Sequence, residues 1–431
     1  MVYYRVGIGA GESFAVLQST AHHKTENANY IHLVADILWF GLALAATVRF
    51  ASVYAIRLDA TSFELGLLSA LPGLFMLIGT LLTGWWRRHF TASPNAMFLP
   101  SMGFRLVFLL PALTPLMPQG WQVAWLIFAL TITAIPQGIA GTLFVVLMRE
   151  GISDERLPQL WSRRLVALNF GLIISSLVFG YMLKVSPLHE GYALMFLVAF
   201  VLVMVSQVHV MRVKVLRPMP VPSAKPFPEL MRVWRSPNLL VVGVVVLAVH
   251  LTVFSVAPMI NKHLISGLGA TEEFIAWFGV AELVAAVLCA TFADKLMLRL
   301  GARTLIAVSM LGTALAALLV ALAPSLPFTL LSAFVQGISW TACSVAMFGF
   351  FLQRTSNHQM QDATMMFNVV VGLGIFIGSL IGGVLADAGM SLVTVLLVGA
   401  GLRFAAAWLI TETRRAPAYV EQLAPTTSGG D

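Results

Sequence analysis

Chemistry in this chain would rest on a few ionisable side chains set inside long apolar runs. Glu282 stands in Phe278-Gly279-Val280-Ala281-Glu282-Leu283-Val284, Asp36 and Arg49 share the run that begins near residue 31, and His250 lies in the run after residue 237. An ionised carboxylate away from water is costly, so burial would ready Glu282 to exchange a proton or to face a charged solute. The alternative is a structural pair with a buried arginine or a backbone donor. Arg49 is suited to hold an anionic solute or to change carboxylate partners. Asp36 is a second group able to titrate, although it is close enough to the end of its run to be an ordinary interfacial residue. Thirteen residues separate those two, roughly 20 Å of helix, which is too far for a direct pair. Imidazole titrates nearest physiological pH, so His250 is either a proton shuttle or a neutral ring bonded between helices.

The other polar residues at membrane depth divide by chemistry. Arg105 and Arg403 stand near the middle of their runs, where facing lipid would be expensive, and are expected to reach inward and tie helices together. Gln137, Gln336, Asn169 and Asn368 carry amides that bond a neutral ligand or another helix. Trp340, one turn beyond Gln336, can stack on an organic solute or pack in a core. No catalytic residue is assigned, because no nucleophile–base pair and no GxxxxGK[ST] phosphate loop occurs. The histidines are scattered, and the two cysteines, Cys289 and Cys343, both lie in apolar runs. The sequence therefore calls for no metal, no cofactor and no disulfide scaffold.

The elements that must carry these residues are plain from composition. Of 431 residues, 59% are hydrophobic and 10% charged, too few charges to clothe a soluble protein of this length. Apolar stretches of about 20 residues, each able to cross roughly 30 Å of hydrocarbon as a helix, recur along the chain. They fall near 31–56, 63–84, 97–115, 121–148, 165–185, 191–211, 237–260, 272–293, 304–323, 327–352, 363–386 and 392–411, twelve in all. The net charge of +7 follows from one-sided placement. With both termini inside, the outer segments hold only Arg57, Lys184 and Lys262 as basic residues, while the inner segments carry the rest outside the spans. Membrane orientation accounts for the basic excess, and nucleic acid need not be invoked.

The longest internal polar stretch, 212–236, is rich in proline and base and separates six spans from six. The expected division is a cytoplasmic tail at 1–30, a six-helix bundle at 31–211, a cytoplasmic loop at 212–236, a second bundle at 237–411 and a tail at 412–431. Faint echoes link the halves. Pro136-Gln137-Gly138-Ile139 in the fourth span answers Val335-Gln336-Gly337-Ile338 in the tenth. Ala60-Thr61-Ser62 answers Ala270-Thr271-Glu272, and Ser176-Leu177-Val178-Phe179-Gly180 answers Ser379-Leu380-Ile381-Gly382-Gly383. All recur at about 200 residues in corresponding spans, as a six-plus-six parallel repeat would leave them.

With this layout the chain resembles the major facilitator superfamily over about 30–412. The loop after the eighth span reads Ala293-Asp294-Lys295-Leu296-Met297-Leu298-Arg299-Leu300-Gly301-Ala302-Arg303, similar to the family's signature loop, with an Asp early and a Gly-Arg-like pair late. The resemblance implies that Asp294 and Arg303 staple neighbouring helix ends in one conformation. The first-half counterpart, Gly84-Trp85-Trp86-Arg87-Arg88, lacks the Asp. Ala134 stands where many proton-coupled members have an arginine, and the fifth span lacks the Gly-Pro motif of drug antiporters. No substrate class carries over.

The expected fold is thus all-α and polytopic, with twelve transmembrane helices in two pseudo-symmetric six-helix bundles, the major facilitator fold. The expected function is secondary transport of a small organic solute by alternating access in a bacterial inner or plasma membrane, with proton coupling left open and no enzymatic step. A non-transporting receptor or assembly factor on the same scaffold is the alternative. Membrane lipids and the solute are the partners, and nothing in the sequence demands an oligomer.

Overall fold

The computed structural model of the protein describes residues 10–219, 236–355 and 360–412. The start of the expected N-terminal tail, the middle of the central loop and the C-terminal tail beyond 412 lie outside the described residues.

Among the described residues, twelve helices are long and apolar enough to cross a membrane. They are span 1 (His23–Arg57), span 2 (Ser62–Arg87), span 3 (Ser93–Leu116), span 4 (Gln119–Gly151), span 5 (Leu157–Val185), span 6 (Leu188–Met211), span 7 (Pro237–Gly267), span 8 (Glu272–Ala290), span 9 (Ala302–Ala321), span 10 (Leu326–Leu352), span 11 (Ala363–Asp387) and span 12 (Leu392–Glu412). Large apolar side chains such as Val166, Phe170 and Trp408 are exposed on them, as expected of surfaces that meet lipid.

Local sequence sets the ends. Thr61 and Glu64 form a capping box at the start of span 2: the Glu64 amide donates to Thr61 Oγ1 at 3.1 Å, and the Thr61 amide donates to Glu64 Oε2 at 2.8 Å. Pro111 and Pro115 tighten the end of span 3 into a 3-10 turn over Leu110–Leu116. Gly301, at φ 78°, stops the short helix Ala293–Leu300 before span 9 begins. The first helix also reaches back to Ala10, into the stretch expected as a tail. Its residues Glu26 and Asn29 are buried. Asn29 Nδ2 donates to the carbonyls of Gly151 and Lys214, and Ser153 donates to Glu26. These bonds gather the helix start, the turn after span 4 and the segment after span 6.

The chain separates into two compact units. One comprises Met1–Ala224 with Asn261–Leu283, the other Lys225–Ile260 with Val284–Asp431. Inside the first unit, span 1 packs on spans 5 and 6, span 2 on span 4, and span 3 on spans 4 and 6. Inside the second, span 7 packs on spans 11 and 12, and span 9 on spans 10 and 12. The pairing of spans 1, 3, 5 and 6 is thus repeated by spans 7, 9, 11 and 12.

Glycine makes the tightest of these repeated contacts possible. A Cβ on Gly171 of span 5 would lie 2.9 Å from the Leu38 carbonyl of span 1, and one on Gly378 of span 11 would lie 2.5 Å from the Leu251 carbonyl of span 7. Spans 1 and 7 are also both interrupted, the first at Arg49 between Val48 and Phe50, the seventh after Phe254. Cys289 and Cys343 are free and sealed in the apolar core of the second unit.

Candidate functional site

The break in span 1 presents Arg49. Its Nη1 donates to Glu282 Oε2 at 2.7 Å, and its Nη2 reaches the Gly279 carbonyl at 3.5 Å. The guanidinium lies flat on span 8 because position 279 has no side chain; a Cβ there would fall 2.7 Å from Arg49 Nε. Both partners keep partial exposure, 20% for Arg49 and 27% for Glu282. The pair is therefore shielded but reachable.

More bonds hold the same segment, Asn261–Leu283, within the first unit. Arg57 grips both oxygens of Glu272 at 2.8 and 3.3 Å and also donates to the Ala270 carbonyl. Tyr192 donates to Glu272 Oε1 at 3.3 Å, and Lys184 donates to Glu273 at 2.6 Å. Lys262 donates to Ser62, and Asn261 to Ser52. Arg57, Lys184 and Lys262 enter the sequence reading only as outer-loop charges. The adjacent acids Glu272 and Glu273 at the head of span 8 are the signal for the pairing of Arg57 and Lys184.

A second cluster surrounds Asp36. Its carboxylate accepts from Ser206 Oγ at 2.6 Å and from Arg164 Nη1 at 3.2 Å, with Arg105 Nη2 at 3.9 Å. Arg105 spreads its other donors over the Val203 carbonyl at 2.9 Å, the Ser101 carbonyl at 3.0 Å and Ser206 Oγ at 2.9 Å. Asp36, Arg105 and Arg164 are all buried, and together with Gln137 they line a cavity of about 230 Å³ in the first unit. The span expected over 165–185 leaves Arg164 just outside the membrane segment. Span 5 starts at Leu157, which puts Arg164 two turns inside it.

In the second unit His250 and Trp340 meet. Their rings are 5.7 Å apart at 84°, and Phe254 stacks beside His250 at 6.1 Å. His250 Nδ1 bonds the Val246 carbonyl of its own helix at 2.9 Å, leaving Nε2 without a protein partner among the described residues. Gln336 and Asn368 make no protein hydrogen bond among the described residues. Asn169 back-bonds to Leu165 at 3.0 Å.

Arg403, fully buried in span 12, donates to the carbonyls of Thr313 at 2.6 Å, Val253 at 2.9 Å and Thr252 at 3.4 Å, linking spans 9, 7 and 12 without a carboxylate. Arg303 donates to the Thr411 carbonyl at the end of span 12. Asp294 makes no hydrogen bond or ion pair among the described residues, so of the two residues that the resemblance implies for the staple, Arg303 alone joins helix ends in this conformation. Arg354, just past span 10, lies 4.3 Å over the Phe350 ring. Burial, and then the like charge of Arg303, push its guanidinium below its ordinary range. No cluster of three or more potential metal ligands occurs among the described residues.

Known proteins bear on this arrangement in two ways. Residues 242–428 match the family model of the Major Facilitator Superfamily, while no curated protein matches the sequence. Solved transporters share the fold. The D-xylose-proton symporter superposes with TM-score 0.67 at 17% identity over 89% of this chain and 97% of that one. The nucleoside transporter NupG does so with TM-score 0.64 at 12% identity over 90% and 98%. A bacterial homologue of the human lysosomal transporter Spinster, solved inward-facing and unoccupied, gives TM-score 0.65 at 13% identity over 92% and 99%. At such identities the likeness is one of fold alone. The family match covers the second half of the chain, and the described chain as a whole has the major facilitator fold that these transporters share. The family match begins in span 7, in the half that keeps the Asp294–Arg303 loop.

Proposed function

We propose that the chain is a proton-coupled secondary transporter. It moves a small organic solute by alternating access across a bacterial inner or plasma membrane, as a monomer with both termini cytoplasmic. The observation that carries this reading is the Arg49–Glu282 pair at the break in span 1. The ionic bond between arginine and a carboxylate is lost when the carboxylate takes up a proton, and the arginine is then released. Glu282 can therefore carry the proton and Arg49 can respond to it. The partial exposure of both residues supports exchange with water.

Coupling and binding separate in one experiment. Purified protein in vesicles is screened against a panel of organic solutes, with and without an imposed pH gradient, and the panel is repeated with Glu282→Gln. That variant keeps an acceptor for Arg49 but holds no exchangeable proton. It should lose gradient-driven accumulation at least tenfold while solute counterflow survives. Unchanged gradient dependence in the variant would remove Glu282 from the mechanism.

A further inference from the structure

The Asp36 cavity has more cation than anion. Two buried guanidinium groups, Arg105 and Arg164, share one carboxylate, and Asp36 is the only acid within 4 Å of either among the described residues. A buried charge without a counter-charge is costly, and a monoanion in the adjacent space would balance it.

Hydrogen bonding points the same way. Arg164 donates to protein through Nη1 only, to Asp36 and to the Leu33 carbonyl. Its Nη2 and Nε, and the Gln137 amide, have no protein acceptor among the described residues. Two planar donors in the lining thus lack what a carboxylate supplies.

The walls are apolar and aromatic. Phe40, Phe104 and Phe144 line the cavity. Phe40 and Phe104 lie 5.8 Å apart, and Phe144 is covered by the Arg164 guanidinium at 4.6 Å. The volume equals about eight liquid-water volumes, enough for a small acid and too little for a drug-sized molecule.

We propose that this cavity binds a small organic monoanion. The carboxylate is taken by Arg164, Arg105 and Gln137, and the apolar body by the three phenylalanines. The site goes beyond the transport reading, since equilibrium binding requires neither flux nor a proton gradient.

Gly141 provides a clean test. It lines the cavity, and a Cβ built on it meets nothing within 4 Å. Gly141→Leu should fill the space without disturbing the helix. The full chain in detergent is titrated calorimetrically with benzoate, and with benzamide as the neutral isostere. Benzoate should bind saturably, benzamide at least tenfold more weakly, and Gly141→Leu should abolish binding while melting no lower than the parent. Asp36→Asn removes the competing carboxylate and should tighten benzoate severalfold.

Equal binding of benzamide, no benzoate binding at millimolar concentration, or full benzoate binding by folded Gly141→Leu would each overturn the proposal. Displacement of benzoate by an equal concentration of chloride or inorganic phosphate would also overturn it, marking an inorganic anion site. None of these results bears on gradient-driven flux, which tests the transport reading separately.

Discussion

Arginine in this chain acts as a connector as often as a charge. Arg403 has no acid beside it and uses its fork on three backbone carbonyls. Lysine carries the same charge but cannot span three acceptors in a plane. Arg403→Lys should therefore lower stability by about 1–3 kcal/mol, the cost of stranding buried acceptors, read as an earlier melt of the purified protein.

The sequence marks most of these residues individually, because an ionisable group in an apolar run stands out. It does not reveal their partners. Arg49 and Glu282 are 233 residues apart, and helical periodicity carries no information about which faces of distant spans meet. Arg164 escaped notice for a different reason. At the edge of a basic cluster, its position relative to the helix start decides between solvent and core.

Helix packing in both units depends on backbone approach. On Gly378 a methyl group would meet the rigid Leu251 carbonyl at 2.5 Å, whereas on Gly401 it would meet nothing within 4 Å. Gly378→Ala should destabilise by about 1–3 kcal/mol through forced separation of spans 7 and 11. Gly401→Ala should be neutral or stabilise by up to about 1 kcal/mol, since alanine is the better helix former. Paired melting curves decide it, and equal shifts would contradict the packing argument. Gly372, Gly374, Gly378, Gly382 and Gly383 crowd span 11 in the sequence, but nothing there says that Gly374, Gly378 and Gly382 lie on the interrupted seventh span. The break in span 1 was likewise illegible, since no proline or glycine stands at Arg49, whereas Pro258, four residues after Phe254, marks the break in span 7.

Across the whole molecule, hydropathy and the bias of basic charge carry the reading of spans and orientation. Twelve apolar lengths survive as twelve helices, because a backbone in hydrocarbon has few other ways to satisfy its polar groups. Orientation can be checked with exposed positions. Single substitutions Asp59→Cys and Gly389→Cys should react with an impermeant thiol reagent added to intact cells. Arg88→Cys and Leu298→Cys should react only in inverted vesicles. The opposite pattern would reverse the assignment of the termini.

The native sulfhydryls sharpen such experiments. Cys289 and Cys343 are both sealed, and both belong to the second unit. The unaltered protein is therefore silent to a maleimide dye until that unit comes apart. A fluorogenic maleimide added during heating would light up with the loss of one half of the chain and ignore the other. The protein carries its own half-specific thermometer, against which a ligand bound in the first unit can be scored.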